Sequence, residues 1–130
     1  FQNSGQICLC GSRILIERSI YAEVREALVA GAQALHVGHP LEDGVRIGPL
    51  ASQAQFDKVT AALDRARAEG GRVLCGGAAL QRSGWYVPPT LIEGLGPDCA
   101  TNREEIFGPV ATLQPFDDDQ HALALANASD

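Results

Sequence analysis

Long apolar runs are missing from this sequence. None approaches the roughly 20 residues needed to cross a bilayer, and nothing at the start reads as a signal peptide. Methionine is absent altogether, so no natural start is visible. Positive charge is scarce: 10 Lys and Arg stand against 16 Asp and Glu, a net charge of −6. That balance argues against nucleic acid and anionic membrane surfaces as partners. Cysteine is sparse as well. The four thiols, Cys8, Cys10, Cys75 and Cys99, are too few and too unevenly placed for a disulfide framework in a chain able to build a core, and they point to a reducing, cytoplasmic setting. Internal repeats and low-complexity tracts are lacking too. What remains is about one domain: 130 residues, able to bury roughly two-thirds of the surface that the unfolded chain exposes.

The stretch Phe1-Gln2-Asn3-Ser4-Gly5-Gln6-Ile7-Cys8-Leu9-Cys10-Gly11-Ser12-Arg13 sets a thiol between a small-residue turn and the β-branched run Ile14-Leu15-Ile16. A thiol on a loop that feeds a buried strand is held rigidly yet stays reachable, as a nucleophile must be. On composition alone a cysteine is more often a small buried apolar residue. Cys8 and Cys10 lack the partner cluster of a zinc site. If the backbone there is extended, the two share a side, and oxidation can join them.

Downstream, residues 14–17 read as a strand, too apolar to be half exposed and therefore placed centrally in a sheet. Ser19 is the expected cap of a helix whose positions Ile20, Val24, Leu28, Gly31 and Leu35 face the core, ended by Gly38 and Pro40. Residues 39–51 form a loop. Ser52 and Gln55 make a capping box for a second helix with Phe56, Val59, Leu63 and Ala66 on its buried face, stopped by Gly70-Gly71. Residues 72–75 form a strand. Residues 85–87 and 90–92 are short extended pieces that Pro88-Pro89 keep at an edge or outside a sheet. Residues 94–102 are loop and 110–113 strand, and Asp117-Asp118-Asp119 opens a last helix at its positive end. Helices alternating with strands give an α/β layer fold with a largely parallel sheet.

The order Phe-x-x-x-Gly-Gln-x-Cys, followed by Gly-Ser-Arg and a strand, resembles the active-site cysteine segment of the NAD(P)-dependent aldehyde dehydrogenase superfamily. The block Glu104-Glu105-Ile106-Phe107-Gly108-Pro109-Val110 is similar to that family's other well-known segment and lies about a hundred residues downstream, as it does there. Between them Ile47-Gly48-Pro49-Leu50, Cys75-Gly76-Gly77 and Tyr86-Val87-Pro88-Pro89-Thr90 also look like family punctuation.

The resemblance implies a three-layer αβα catalytic domain of which residues 1–130 are a part, with the cofactor-binding domain upstream. It makes Cys8 the nucleophile that adds to an aldehyde carbonyl, passes through a thioester and is released by water, its own backbone N–H helping to hold the oxyanion. It gives Glu105 the nicotinamide ribose and Phe107 a place beside the nicotinamide, with Gly108-Pro109 allowing a sharp turn. Without it, Glu104-Glu105 reads as a solvated acidic turn and Phe107 as a core residue. The cofactor implied is NAD or NADP, the substrate a small-molecule aldehyde, and the complete protein a homo-oligomer, dimer or tetramer. Cys8-Leu9-Cys10 with Ser12-Arg13 looks most like the branch acting on muconic semialdehydes. A general base and the side-chain amide of the oxyanion hole are expected upstream of Phe1, so the 130 residues alone are expected to be inactive. His36, His39 and His121 carry no role in the family, and Trp85 and Tyr86 read as packing residues. The rival readings are a coenzyme A-acylating relative and a non-catalytic module that reuses the fold.

Overall fold

The computed structural model describes residues 1–128; Ser129 and Asp130, the last two positions of the expected domain, lie outside it. Four strands, β1 (Arg13–Glu17), β2 (Arg72–Cys75), β3 (Thr90–Glu93) and β4 (Val110–Phe116), form one sheet in the order β1-β4-β3-β2. β1 and β3 run parallel to β4, and β2 is antiparallel to β3. Around the sheet stand α1 (Tyr21–Gln33), α2 (Gln53–Ala68), the short α3 (Ala100–Arg103) and α4 (Asp119–Ala126).

Strand alternation sorts the apolar side chains into two cores. Ile92 and Val110 pack with Val59, Leu63 and Ala66 of α2. Their neighbours Leu91, Ala111 and Leu113 pack on the other side with Ala32, Leu28 and Val24 of α1. α1 and α2 therefore cover opposite faces, and the fold is the expected α/β layer structure with a largely parallel sheet. Leu91, Ile92 and Leu113 are all but fully enclosed, each contributing about 1.5–3 kcal/mol by its removal from water.

Several local expectations give way. β1 is an edge strand of the described sheet, and β4 holds the central place between β1 and β3. An apolar run reports that both faces are covered, not that both edges are paired. β3, expected at an edge or outside, is interior and buried along its whole length. Pro88 and Pro89 precede it, so they remove no ladder donor; its first N–H, from Thr90, reaches Pro109 O at 2.8 Å. β4 continues past residue 113 to Phe116, and α3 takes up the end of the expected loop of residues 94–102 and runs one residue beyond it.

α1 begins at Tyr21 after a 3-10 turn, because the Ser19 hydroxyl donates to Glu17 at 2.6 Å and caps nothing. Its packed face is rotated to Tyr21, Val24, Leu28, Val29 and Ala32, leaving Ile20 and Gly31 exposed, and it ends at Gln33, before Gly38. α2 is capped as expected: Gln55 N donates to Ser52 Oγ at 3.2 Å, and Val59, Leu63 and Ala66 are buried. The reciprocal half of that capping box is not made, for reasons that belong to the site. α4 takes Asp118 as its cap, which accepts from His121 N at 2.8 Å, while Asp117 pairs with Arg18.

Candidate active site

Two loops meet at one end of the sheet, the first leading into β1 and the second into β4. Because β1 and β4 are parallel neighbours, the loops come from adjacent amino ends and lie side by side. Ligands in open α/β sheets more commonly sit at the carboxyl ends.

The first loop opens on three consecutive left-handed residues, Asn3, Ser4 and Gly5, with φ of 51, 54 and 70°. Asparagine and glycine tolerate that region best. Asn3 O accepts from Gln6 N at 3.0 Å and Asn3 Nδ2 donates to Gln6 O at 3.0 Å, closing the turn. A second turn follows at once, Cys10 N donating to Ile7 O at 2.9 Å, with Cys8 and Leu9 at its tip. The segment is thus not extended, and the condition under which Cys8 and Cys10 would share a side is not met. Both are free thiols; Cys8 is exposed, while Cys10 is half-buried with its Sγ 3.7 Å from Gln2 O.

The segment Ile47-Gly48-Pro49-Leu50 braces this loop. Ser4 Oγ donates to Gly48 O at 2.9 Å, and Ala51 N donates to Gln6 Oε1 at 3.0 Å. Arg13 points away from the thiols and donates to Leu125 O and Ala126 O at 2.8 and 3.0 Å, which suits the carbonyl end of α4.

In the second loop each residue goes a different way. Glu104 pairs with Arg65 at 2.9 Å, Glu105 is exposed, and Ile106 is 5 % exposed in the α2-side core. Ile106, not Phe107, is the core residue here. Phe107 turns back with φ of 58°, a conformation that costs a side-chain-bearing residue about 1–2 kcal/mol. The chain bends at Gly108 and Pro109 as expected, and the left-handed Phe107 lies just ahead of that bend. Gly108 serves close approach: a Cβ there would lie 2.6 Å from Val59 of α2. A Cβ on Gly5 would lie 2.0 Å from Gly108 O. The two loops touch backbone to backbone at this glycine pair. The side-chain amide of Gln55, at the start of α2, donates to Ile106 O at 3.1 Å and to Phe107 O at 2.7 Å.

Between the loops is a cleft of about 260 Å³, with Glu105, Phe107, Cys10 and Gly5 among its lining residues and Ile14 and Leu28 forming its floor. Its lining is mostly apolar and carries one carboxylate, that of Glu105, as small-molecule clefts commonly do. Glu105 and Phe107 thus share a cleft with the cysteine loop, and Cys8 stands beside it on the exposed turn. The cysteine on the wall is Cys10, which the sequence marks only as a neighbour. Gln55 is a second residue that sequence reasoning misses in this role, since its partners lie 51 and 52 residues away.

Other candidates lie elsewhere. His39 Nδ1 accepts from Leu41 N at 3.3 Å, and the N–H of His121 is taken up by the cap of α4. Burial pushes the Cys75 thiol up from its ordinary value, which disfavours its thiolate. Among the described residues no group of three His, Cys, Asp or Glu side chains is placed to hold a metal ion, and no helix is long and apolar enough to cross a membrane.

The family model described as the aldehyde dehydrogenase family matches residues 1–130. A betaine aldehyde dehydrogenase of Cereibacter sphaeroides is 42% identical over 130 residues, all of this chain and 27% of that protein. An aldehyde dehydrogenase of Deinococcus radiodurans is 45% identical over 129 residues, 96% of this chain and 25% of that protein. Among solved structures, betaine aldehyde dehydrogenase of Staphylococcus aureus in complex with NAD+ superposes with a TM-score of 0.93 at 33% identity, covering 98% of this chain and 26% of that one. The NAD+ complex of an aldehyde dehydrogenase from Bacillus cereus gives 0.93 at 35% identity, covering 97% and 26%. The chain spans about a quarter of the length of these relatives.

Proposed function

We propose, because this chain belongs to the aldehyde dehydrogenase family, that it is the part of a catalytic domain that oxidises an aldehyde to a carboxylic acid with NAD or NADP. Cys8 is the nucleophile. Its thiolate forms a C–S bond to the aldehyde carbon, and the carbonyl electron pair moves to oxygen, where the backbone N–H of Cys8 helps to hold it. A dinucleotide held against Glu105 and Phe107 would supply the hydride acceptor, so that the adduct carbon loses hydride, its C=O re-forms and a thioester remains on Cys8. Water then attacks the thioester carbon, the C–S bond breaks, and the thiolate is restored as the acid departs. Glu105 accepts from the ribose hydroxyls, for which a carboxylate has two acceptor oxygens. Phe107 would pack beside the nicotinamide. The general base, the side-chain amide of the oxyanion hole and most of the dinucleotide site fall to the remaining three-quarters of the protein, which forms a homo-oligomer.

The observation that carries this reading is the contact between the two loops. The Gly5–Gly108 approach sets Glu105 and Phe107 in the cleft beside the turn that displays Cys8. A module that merely reused the fold has no need to expose a thiol there. In the complete protein, Cys8→Ser should lower aldehyde oxidation by at least about a thousandfold, as expected for loss of the group that forms the covalent bond, with NAD+ affinity kept. Turnover persisting in Cys8→Ser would overturn the reading. Carboxylate formed without coenzyme A, measured by product analysis, separates this reaction from the acylating alternative.

On substrate, the names of the relatives favour betaine aldehyde as the first to assay. Muconic semialdehydes, suggested by Cys8-Leu9-Cys10, have no counterpart in those names and come second. The higher kcat/KM decides between them.

A further inference from the structure

The geometry points to Gln55 as the positioning residue that holds the cofactor-side loop in its working conformation, an assignment that rests on the function proposed above. In extended chain successive carbonyls point to opposite sides. When the residue between them is left-handed helical, they point to the same side, as they do in a helix. With Phe107 at φ 58°, Ile106 O and Phe107 O are so aligned, and one amide nitrogen reaches both. The Gln55 side chain therefore recognises the left-handed state of Phe107 and not merely the loop. A single –NH2 carries two hydrogens, which is what the task needs.

The remainder of the loop is held by main chain. Gly108 O is taken by Val110 N and Pro109 O by Thr90 N, each at 2.8 Å. Val59, one helical turn beyond Gln55, meets Gly108 and keeps α2 at a fixed distance. Gln55 thus acts on the two peptide units just ahead of that anchored part, and those units aim Glu105 and Phe107 into the cleft. If φ at Phe107 relaxed to a negative value, the ring and the carboxylate would both swing, while the cysteine turn, held by Ser4, Gln6 and Ile47-Gly48-Pro49-Leu50, would not.

The test uses the complete protein. Gln55→Leu keeps the side chain out to Cδ and removes the donor; Gln55→Glu keeps the shape and sets an acceptor against two carbonyls. By fluorescence titration, NAD+ dissociation constants should rise roughly tenfold for Gln55→Leu, the size expected when hydrogen bonds that hold a binding loop are lost, and further for Gln55→Glu. Alkylation of Cys8 by iodoacetamide without cofactor should keep its rate, a readout that general unfolding would change. In a Phe107→Gly background, where positive φ needs no support, adding Gln55→Leu should cost about twofold or less. NAD+ affinity unchanged in Gln55→Leu, or an equal loss in both backgrounds, would overturn the assignment alone. Failure of the unsubstituted protein to bind NAD+ would overturn the functional reading and the assignment with it.

Discussion

Glycines 5 and 31 show how differently one residue type is used. Gly5 has φ of 70° and faces Gly108 O across a gap with no room for a Cβ, whereas Gly31 lies on α1 with nothing within 4 Å. Gly5→Ala should destabilise the protein by about 2–4 kcal/mol, combining left-handed strain with overpacking against backbone. Because the two loops must part to admit the methyl group, it should also change the rate of Cys8 alkylation. Gly31→Ala should stabilise α1 by about 0.5–1 kcal/mol. Denaturant midpoints on the complete protein check both. At this scale the sequence is a good guide to identity and a poor one to posture. The two motifs, one with Cys8 and the other with Glu105 and Phe107, stand out in the sequence. That Phe107 is left-handed, or that Cys10 faces the cleft while Cys8 tops a turn, depends on backbone dihedrals that no side-chain pattern announces.

α2 is the element that joins the site to the rest of the fold. Its first turn grips the second loop through Gln55 and Val59, and Glu69, immediately after it, accepts from Ala100 N, Thr101 N and Thr101 Oγ1 at the start of α3. The hydrogen bond from the Thr101 hydroxyl, then those from the two backbone N–H groups, hold the Glu69 carboxyl below its ordinary range. A carboxyl whose folded pKa is lowered stabilises the fold fully above its unfolded pKa of about 4.3 and loses that contribution as pH falls through the folded value. Glu69→Gln should therefore cost stability at pH 7 and converge on the parent protein in acid, as read from denaturation midpoints across pH. The extent of α2 is legible because Val59, Leu63 and Ala66 repeat at helical spacing and Ser52 caps. Gln55 is legible only as a partner of Ser52. Short-range patterns see three residues ahead, and the groups that actually compete for this side chain are about fifty residues away.

For the whole molecule, layer order could be read and strand order could not. Alternation of helix and strand yields α/β, but placing β4 between β1 and β3 depends on pairing among strands far apart in sequence. Leu9 and Leu41 are 90 % and 88 % exposed, and Leu123 is exposed as well. Each apolar side chain left in water gives a second molecule surface to bury, which favours association of the isolated 130 residues. That fragment should show no NAD-dependent oxidation, and light scattering should reveal self-association that Leu9→Ser and Leu41→Ser reduce. The pairing of β1 with β4 has a kinetic side. β1 waits for β4, across the largest sequence separation in the described sheet, and such non-local pairings close slowly. During synthesis the cysteine turn emerges before its supports, is braced next by Gly48 and Ala51, and meets its last support only when Gly108 and β4 arrive. Cys8 should consequently be most open to stray oxidants in the nascent chain, and its pulse-labelling by a maleimide should fall to the native rate only when β4 has paired, well after α1 and α2 have formed.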